Sequence, residues 1–251
     1  MLTLKQILSY TTASRITKNI LTEYYQHELL SSLFSQNNSE FFSFIGGTAI
    51  RICYGGIRFS QDLDFDTSKL DASDELLKNT IIDMTAKGFV IESRLVHKGT
   101  YHCYLKFPHV LKSFGISGYS EEKLLIKIDA TTCQSFQSTP HILNKYGVFE
   151  TIKVAPASTI LSKKLLTIGE RKRPKGRDLY DVTYLWGLTE PDIEYLQTVA
   201  EVSLKDQLRK LIKYVDTLNL SDLARDVAPF LLNLSDSKRI TNFGEFLKSK
   251  I

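Results

Sequence analysis

Period-two apolar segments occur only before Ala155 in the 251-residue chain, and a chain patterned this way is expected to divide there. Before that point, segments of period two alternate with segments of helical period; beyond it, every remaining segment is helical, near 157–169, 177–187, 190–202, 204–217, 219–232 and 238–250. The expected fold class is therefore α+β. Residues 1–155 form an α/β domain with a mixed sheet and N-terminal helices, and residues 156–251 form a helical domain.

Within the first part, Phe41 to Ile45 reads as a short aromatic strand stopped by Gly46-Gly47, and Thr48 to Tyr54 as a short helix ended by Gly55-Gly56. Asp62-Leu63-Asp64-Phe65-Asp66 alternates acid with apolar residues, which predicts a strand with one acidic face. One or two helices are expected in the first 35 residues and another over Asp71 to Lys87. Phe89 to His97 and Thr100 to Phe107 read as a hairpin turning at Lys98-Gly99, residues 108–121 as a polar loop, and Leu124 to Ala130 and Val148 to Val154 as further strands.

Composition removes several function classes. No apolar run approaches the roughly 18–20 residues that cross a bilayer, and the N-terminal stretch lacks the apolar core and cleavage site of a signal peptide, so a cytoplasmic protein with no membrane partner is expected. Cys53, Cys103 and Cys133 are scattered, odd in number and without a C-x-x-C pair, which indicates neither a disulfide framework nor a zinc knuckle. The five histidines, His27, His97, His102, His109 and His141, show no metal-ligand spacing and read as surface or packing residues. There is no P-loop, no dinucleotide-binding glycine pattern and no H-E-x-x-H. The formal charge of +4 is unevenly spread: Lys163 to Arg177 holds seven basic residues against one acid, Glu170, leaving the rest of the chain slightly acidic. Such a concentrated segment suits phosphate or nucleic-acid binding, or is a solvated helix end.

Ile45 to Phe65 carries the chemistry. Two glycines that end a strand and open a helix let backbone N–H groups approach a phosphate without side-chain obstruction. Asp62 and Asp64, two apart on a strand, point the same way about 6–7 Å from each other along the chain, so that they can share a pair of Mg²⁺ ions. Carboxylates gathered like this repel one another unless a cation lies between them. A phosphate cradle beside a metal-binding D-x-D describes nucleotidyl transfer. A third carboxylate is expected on a neighbouring strand: Asp129 is favoured because it approaches from a new direction, with Asp66 the rival. Ser60 lies two before Asp62, and it faces the carboxylates if the strand extends back that far; otherwise it stabilises a turn.

Downstream, Leu161, Leu165 and Ile168 form the core stripe of one helix, and Lys164 interrupts that stripe. A lysine there either snorkels to water or meets an anion, with a nucleotide phosphate preferred. Asp178 either serves the site or caps its helix, and Asp181 is placed to pair with Arg177.

These residues resemble a known family. Gly46-Gly47-Thr48-Ala49, Tyr54-Gly55 and Arg58-Phe59-Ser60-Gln61-Asp62-Leu63-Asp64-Phe65 look like the signature of the AbiEii/AbiGii toxin family, within the DNA polymerase beta-like nucleotidyltransferases. Ile160-Leu161-Ser162-Lys163-Lys164 and Arg177-Asp178-Leu179-Tyr180-Asp181 resemble the family's lysine helix and R-D-x-Y-D motif, so the likeness runs over residues 40–190. The resemblance implies transfer of a nucleotide from an NTP, in some members onto the 3′ end of tRNA, by toxins of abortive-infection type that are paired with an antitoxin. It implies two Mg²⁺ ions on Asp62 and Asp64, with Gly46, Gly47 and Thr48 on the triphosphate; the residues themselves add Asp129, or its rival Asp66, to the metal set and Arg58, Ser60 and Lys164 toward the nucleotide. Lys164 and Asp178 would be further active-site residues. The interval that contains Arg171, Lys172, Arg173 and Lys175 is longer and more basic than the family's usual link, and these four are the candidate RNA contacts. Transfer to a protein hydroxyl, or binding without catalysis on the same fold, are the competing functions.

Overall fold

A computed structural model of the chain describes residues 1–11, 16–97, 100–133 and 137–251. It forms two compact units: Met1–Cys53 with Phe59–Val154, and Tyr54–Arg58 with Ala155–Ile251.

The first unit runs α1 (Leu4–Leu8), α2 (Thr17–Phe34), β1 (Phe42–Ile45), α3 (Gly46–Cys53), β2 (Leu63–Thr67), α4 (Ser73–Ala86), β3 (Glu92–His97), β4 (Tyr101–Phe107), α5 (Val110–Ser113), β5 (Leu124–Thr132), β6 (Thr139–Lys145) and β7 (Val148–Val154). The strands make one mixed sheet in the order β3-β4-β5-β2-β1-β7-β6, parallel at β2–β5 and β1–β7 and antiparallel elsewhere. Alternation along each strand sends Phe44, Phe65, Ile128, Cys103 and Leu105 to one buried face. Helix α2 packs there, its Tyr25 edge-on to Phe107 and Phe89 and its Phe34 against Phe65. The opposite face carries Asp64, Asp129, His102 and Lys127.

Strand β6 has no counterpart in the sequence reading. It pairs with β7 across a two-residue turn at Tyr146 and Gly147, both with positive φ (58° and 78°), which is the hairpin geometry that matches strand twist. The loop expected at 108–121 contains the four-residue helix α5. Lys98-Gly99, the expected turn between β3 and β4, lies outside the described residues.

The second unit is helical: α6 (Ala157–Glu170), α7 (Gly176–Leu185), α8 (Ile193–Val199), α9 (Leu204–Val215), α10 (Leu220–Val227), α11 (Lys238–Thr241) and α12 (Phe243–Lys248). Three expected helices are shorter or divided. Asp192, which follows Pro191, caps α8 through the Tyr195 N–H at 2.9 Å; Pro229 turns the chain after α10 into a 3₁₀ turn; and Asn242 separates α11 from α12. Leu161, Leu165 and Ile168 are buried, as the stripe on α6 predicts. Gly176 lets α7 start against α10, where a Cβ would run into the Leu223 carbonyl and the Val227 side chain. Among the described residues, no helix is long and apolar enough to cross a membrane.

Candidate active site

The first cluster lies on the open face of the sheet. Strand β1 passes into α3 through Gly46, whose φ of +81° suits glycine. A Cβ at Gly46 would strike the Asp64 carboxylate, so the glycine is needed for this close approach as well as for the turn. Asp64 thereby sits over the positive end of α3, where a negative charge is favoured. Strand β2 begins at Leu63, so Asp62 and Ser60 belong to the segment leading into it and not to the strand. The Ser60 carbonyl accepts from Gln26 Nε2 at 3.0 Å, which fixes that segment. Thr48, expected toward the triphosphate, is fully buried and its hydroxyl donates to the Asp62 carbonyl; it ties α3 to the acidic segment. Gly47 is buried in the first turn of α3.

Register aligns Ile45, Asp64, Asp129 and His102 in one row across four strands. Asp129 is the acid that shares Asp64's row, whereas Asp66 lies a step away beside Ser43 and is 5% exposed. Both Asp129 oxygens are engaged: Oδ1 by His102 Nδ1 at 2.7 Å, and Oδ2 by the Lys127 ammonium at 2.6 Å. His102 also meets the Thr100 hydroxyl through Nε2 at 2.7 Å. Neither Lys127 nor His102 was singled out by the sequence, although Lys127 shares Asp129's face at a spacing of two.

Behind this face, Glu23 of α2 is 3% exposed and accepts from Arg51 Nε (2.7 Å), Lys145 Nζ (2.5 Å) and the Tyr146 hydroxyl (3.1 Å). Burial raises its pKa, but the two cations outweigh burial and hold it below the ordinary carboxylate value. This ion set joins α2, α3 and the β6–β7 hairpin. Three residues so far apart in sequence carry no local signal of their meeting. His27, one turn along α2, is buried against Tyr146, and burial depresses its pKa to about 4.

The second cluster lies inside the helical unit. Arg58, expected toward the nucleotide, is buried and bidentate on Asp181, with Nε–Oδ1 and Nη2–Oδ2 both 2.6 Å. Asp181 therefore pairs with Arg58 across 123 positions, and not with Arg177. Lys164 bridges Asp178 Oδ1 (2.7 Å) and Asp181 Oδ2 (3.0 Å), so the anion that it meets is a pair of carboxylates. Burial opposes its charge, yet Asp181 and Asp178 prevail and raise its pKa. Burial likewise works against ionised Asp181, and Arg58 and Lys164 prevail to lower its pKa. Asp178 makes no side-chain cap at the start of α7; Arg171 Nε lies 2.8 Å from its Oδ2. Arg171, expected on RNA, is thus drawn inward, whereas Lys172 and Arg173 are exposed and Lys175 is half-buried.

Two solved structures, both from Helicobacter pylori, share the fold. JHP933 covers 93% of this chain and 93% of its own at a TM-score of 0.55 and 17% identity. A second protein, presented as a nucleotidyltransferase, covers 93% and 96% at 0.55 and 18%. No curated protein matches the chain. The family described as "Nucleotidyl transferase AbiEii toxin, Type IV TA system" matches residues 28–248, which takes in the sheet, the acidic face and nearly all of the helical unit. A match of that extent places this chain in the AbiEii family of nucleotidyl transferase toxins, which belong to type IV toxin-antitoxin systems.

Proposed function

We propose that the protein transfers a nucleotide from an NTP to an RNA acceptor, with tRNA the favoured class, in a reaction that depends on Mg²⁺ held at Asp62 and Asp64. The observation that carries this reading is the meeting of Gly46, Asp64 and the start of α3: a glycine without which the carboxylate could not lie there, at a helix end suited to anions. The residues fit the ion. Asp62 and Asp64 are half-buried, with neighbouring acids in register, and no group of three or more His, Cys, Asp or Glu side chains forms a closed metal cage among the described residues. Mg²⁺ usually binds one or two carboxylates and takes its other ligands from phosphates and water, so an open acidic face suits it. When bound, it would polarise the phosphate under attack and stabilise the leaving pyrophosphate.

The chain's own residues supply position. Thr48 anchors Asp62 through its backbone, and the Gly46-Gly47 start of α3 leaves amide donors for the triphosphate. Ser60 stays a nucleotide contact in this reading, held in place by Gln26. Lys164 and Asp178 enter from the family resemblance. Their ion pairs support a positioning role, because Asp178 with Arg171 pins one end of the basic 171–175 loop and leaves Lys172, Arg173 and Lys175 for RNA phosphates. A toxin of this kind has a cognate antitoxin as partner, and an RNA acceptor puts its action in the cytoplasm.

The test is incubation of purified protein with each labelled NTP, with Mg²⁺ or EDTA, against total tRNA and against total protein. Label on tRNA that needs Mg²⁺ and disappears in Asp62→Ala supports the reading. Label on protein alone overturns the acceptor, and transfer undiminished in EDTA overturns the metal.

A further inference from the structure

Both carboxylate oxygens of Asp129 are held by cationic or ring N–H partners on its own face of the sheet. One of its oxygens faces the Lys127 ammonium at 2.6 Å and the other the His102 ring at 2.7 Å. These are the distances of charge-assisted hydrogen bonds, and both donors come from residues fixed by strand register: Lys127 two along β5 on the same face, His102 directly opposite on β4. The arrangement continues outward, since a neutral His102 ring that donates Nδ1–H to Asp129 accepts the Thr100 hydroxyl proton at Nε2, 2.7 Å away. Asp129, Lys127 and His102 are each about a quarter exposed, which makes this a formed group at the edge of the acidic face and not a chance surface pair.

Lys127 also stands toward the other carboxylates. Asp129 is paired in register with Asp64 and Ile128 with Leu63, so Lys127 lies abreast of Asp62, just before β2. Burial works against the Lys127 charge, and Asp129, with smaller contributions from Tyr104 and Asp62, prevails to favour it. A positive charge therefore stands against the Asp129 carboxylate, at the strand position abreast of Asp62. A divalent ion bridging those two acids would have to expel the ammonium or lie against it, and like charges in close contact are strongly disfavoured.

We propose that Lys127 is a built-in cation of this site, standing where a second metal ion would bridge Asp129 to its neighbours, so that the protein takes up one divalent ion, at Asp62 and Asp64, for each nucleotide bound. The two ions expected from the sequence become one, and Asp129 becomes a positioning residue for Lys127 instead of a metal ligand. This inference rests on the nucleotidyl transfer reading and concerns only how its charge is balanced.

Mn²⁺ is the probe, counted by the loss of its free-ion electron paramagnetic resonance signal in the presence of saturating non-hydrolysable NTP analogue. One bound Mn²⁺ per bound nucleotide is expected for the wild-type chain and for Lys127→Arg. Two are expected for Lys127→Met, with the line broadening of two coupled ions. Two ions in the wild type, or one in Lys127→Met as in the wild type, would overturn the proposal. Lys127→Gln repeats the count with a polar side chain, and thermal melting confirms that each variant is folded. Failure of the wild type to bind any analogue is a separate result: it removes the transferase reading itself, and the proposal with it.

Discussion

The two charged clusters of this protein use the same chemistry, carboxylates against lysine, arginine and histidine at 2.6–3.0 Å, in opposite surroundings. Inside the helical unit, the Asp181 and Arg58 side chains are 1% and 4% exposed, whereas Asp129 and His102 on the sheet are 23% and 27% exposed. Burial turns ions into structural parts, because removing either partner strands the other charge where water cannot reach it. Partial exposure lets water screen a charge left behind, so the loss of one partner there costs far less. The difference makes the helical cluster the one whose loss should cost stability and the sheet cluster the one suited to the proposed ligand chemistry, and it can be broken experimentally.

The largest effect should come from Asp181→Ala, which leaves Arg58 and Lys164 facing each other without their shared carboxylate. A loss of about 3–5 kcal/mol is expected, read as a lower urea midpoint with an unchanged slope. If Asp181→Ala melted like the wild type, the helical cluster would not be the structural one.

His27 extends the comparison to a buried group without a salt bridge. Its folded pKa of about 4 lies below the ordinary value of 6.5, so the unfolded chain takes up a proton that the folded chain refuses. Stability is therefore lost as pH falls from about 6.5 to about 4, by up to about 3 kcal/mol. Glu23 acts in a lower window: its depressed pKa contributes stability that is present above about 4.5 and is lost below that value as the folded group protonates. Melting temperature against pH should show the upper step in the wild type and not in His27→Gln.

Glycines sharpen the contrast on a smaller scale. Gly176→Ala would push a methyl group into the backbone of α10 and should cost about 1–3 kcal/mol. Gly118→Ala has open space around it and should change stability by no more than about 0.5 kcal/mol. Equal effects on the urea midpoint would mean that the start of α7 shifts freely against α10.

What the sequence made legible, and what it hid, follows the range of the interactions. The β1–α3–β2 passage is readable because the glycine turn and the acid-apolar alternation are local, and the α6 stripe is readable for the same reason. Lys164 was visible as a cation in an apolar stripe, but the identity of its anion depends on where Asp181 arrives. The Arg58–Asp181 pair spans 123 positions and His102–Asp129 spans 27; no periodicity announces either. Strand β6 is not legible because its one local mark, a tyrosine-glycine turn, departs from the Asn-Gly or Asp-Gly pattern that signals such hairpins. Pro191 and Pro229 did mark helix limits that the apolar period alone overran.

Asp64→Asn should change stability as little as Gly118→Ala, and it tests the comparison from the other side. Neutralising Asp64 removes an attraction to the start of α3 of about 0.3–1 kcal/mol. It also removes repulsion from Asp129, its partner in register, and from Asp62, two residues back. Asparagine keeps the shape beside Gly46, so no cavity or collision opens. The opposing contributions should leave the urea midpoint within about 0.5 kcal/mol of the wild type. Nucleotide transfer, by contrast, should fall to background, because an amide is a poor ligand for Mg²⁺ and adds no negative charge. Gly46→Ala is the complementary change: it leaves the charge in place but drives a methyl group into the carboxylate, and should lose transfer together with about 1–3 kcal/mol of stability. An Asp64→Asn chain that lost as much stability as Asp181→Ala would make the open face a structural ion set as well, and the division between the two clusters would fall.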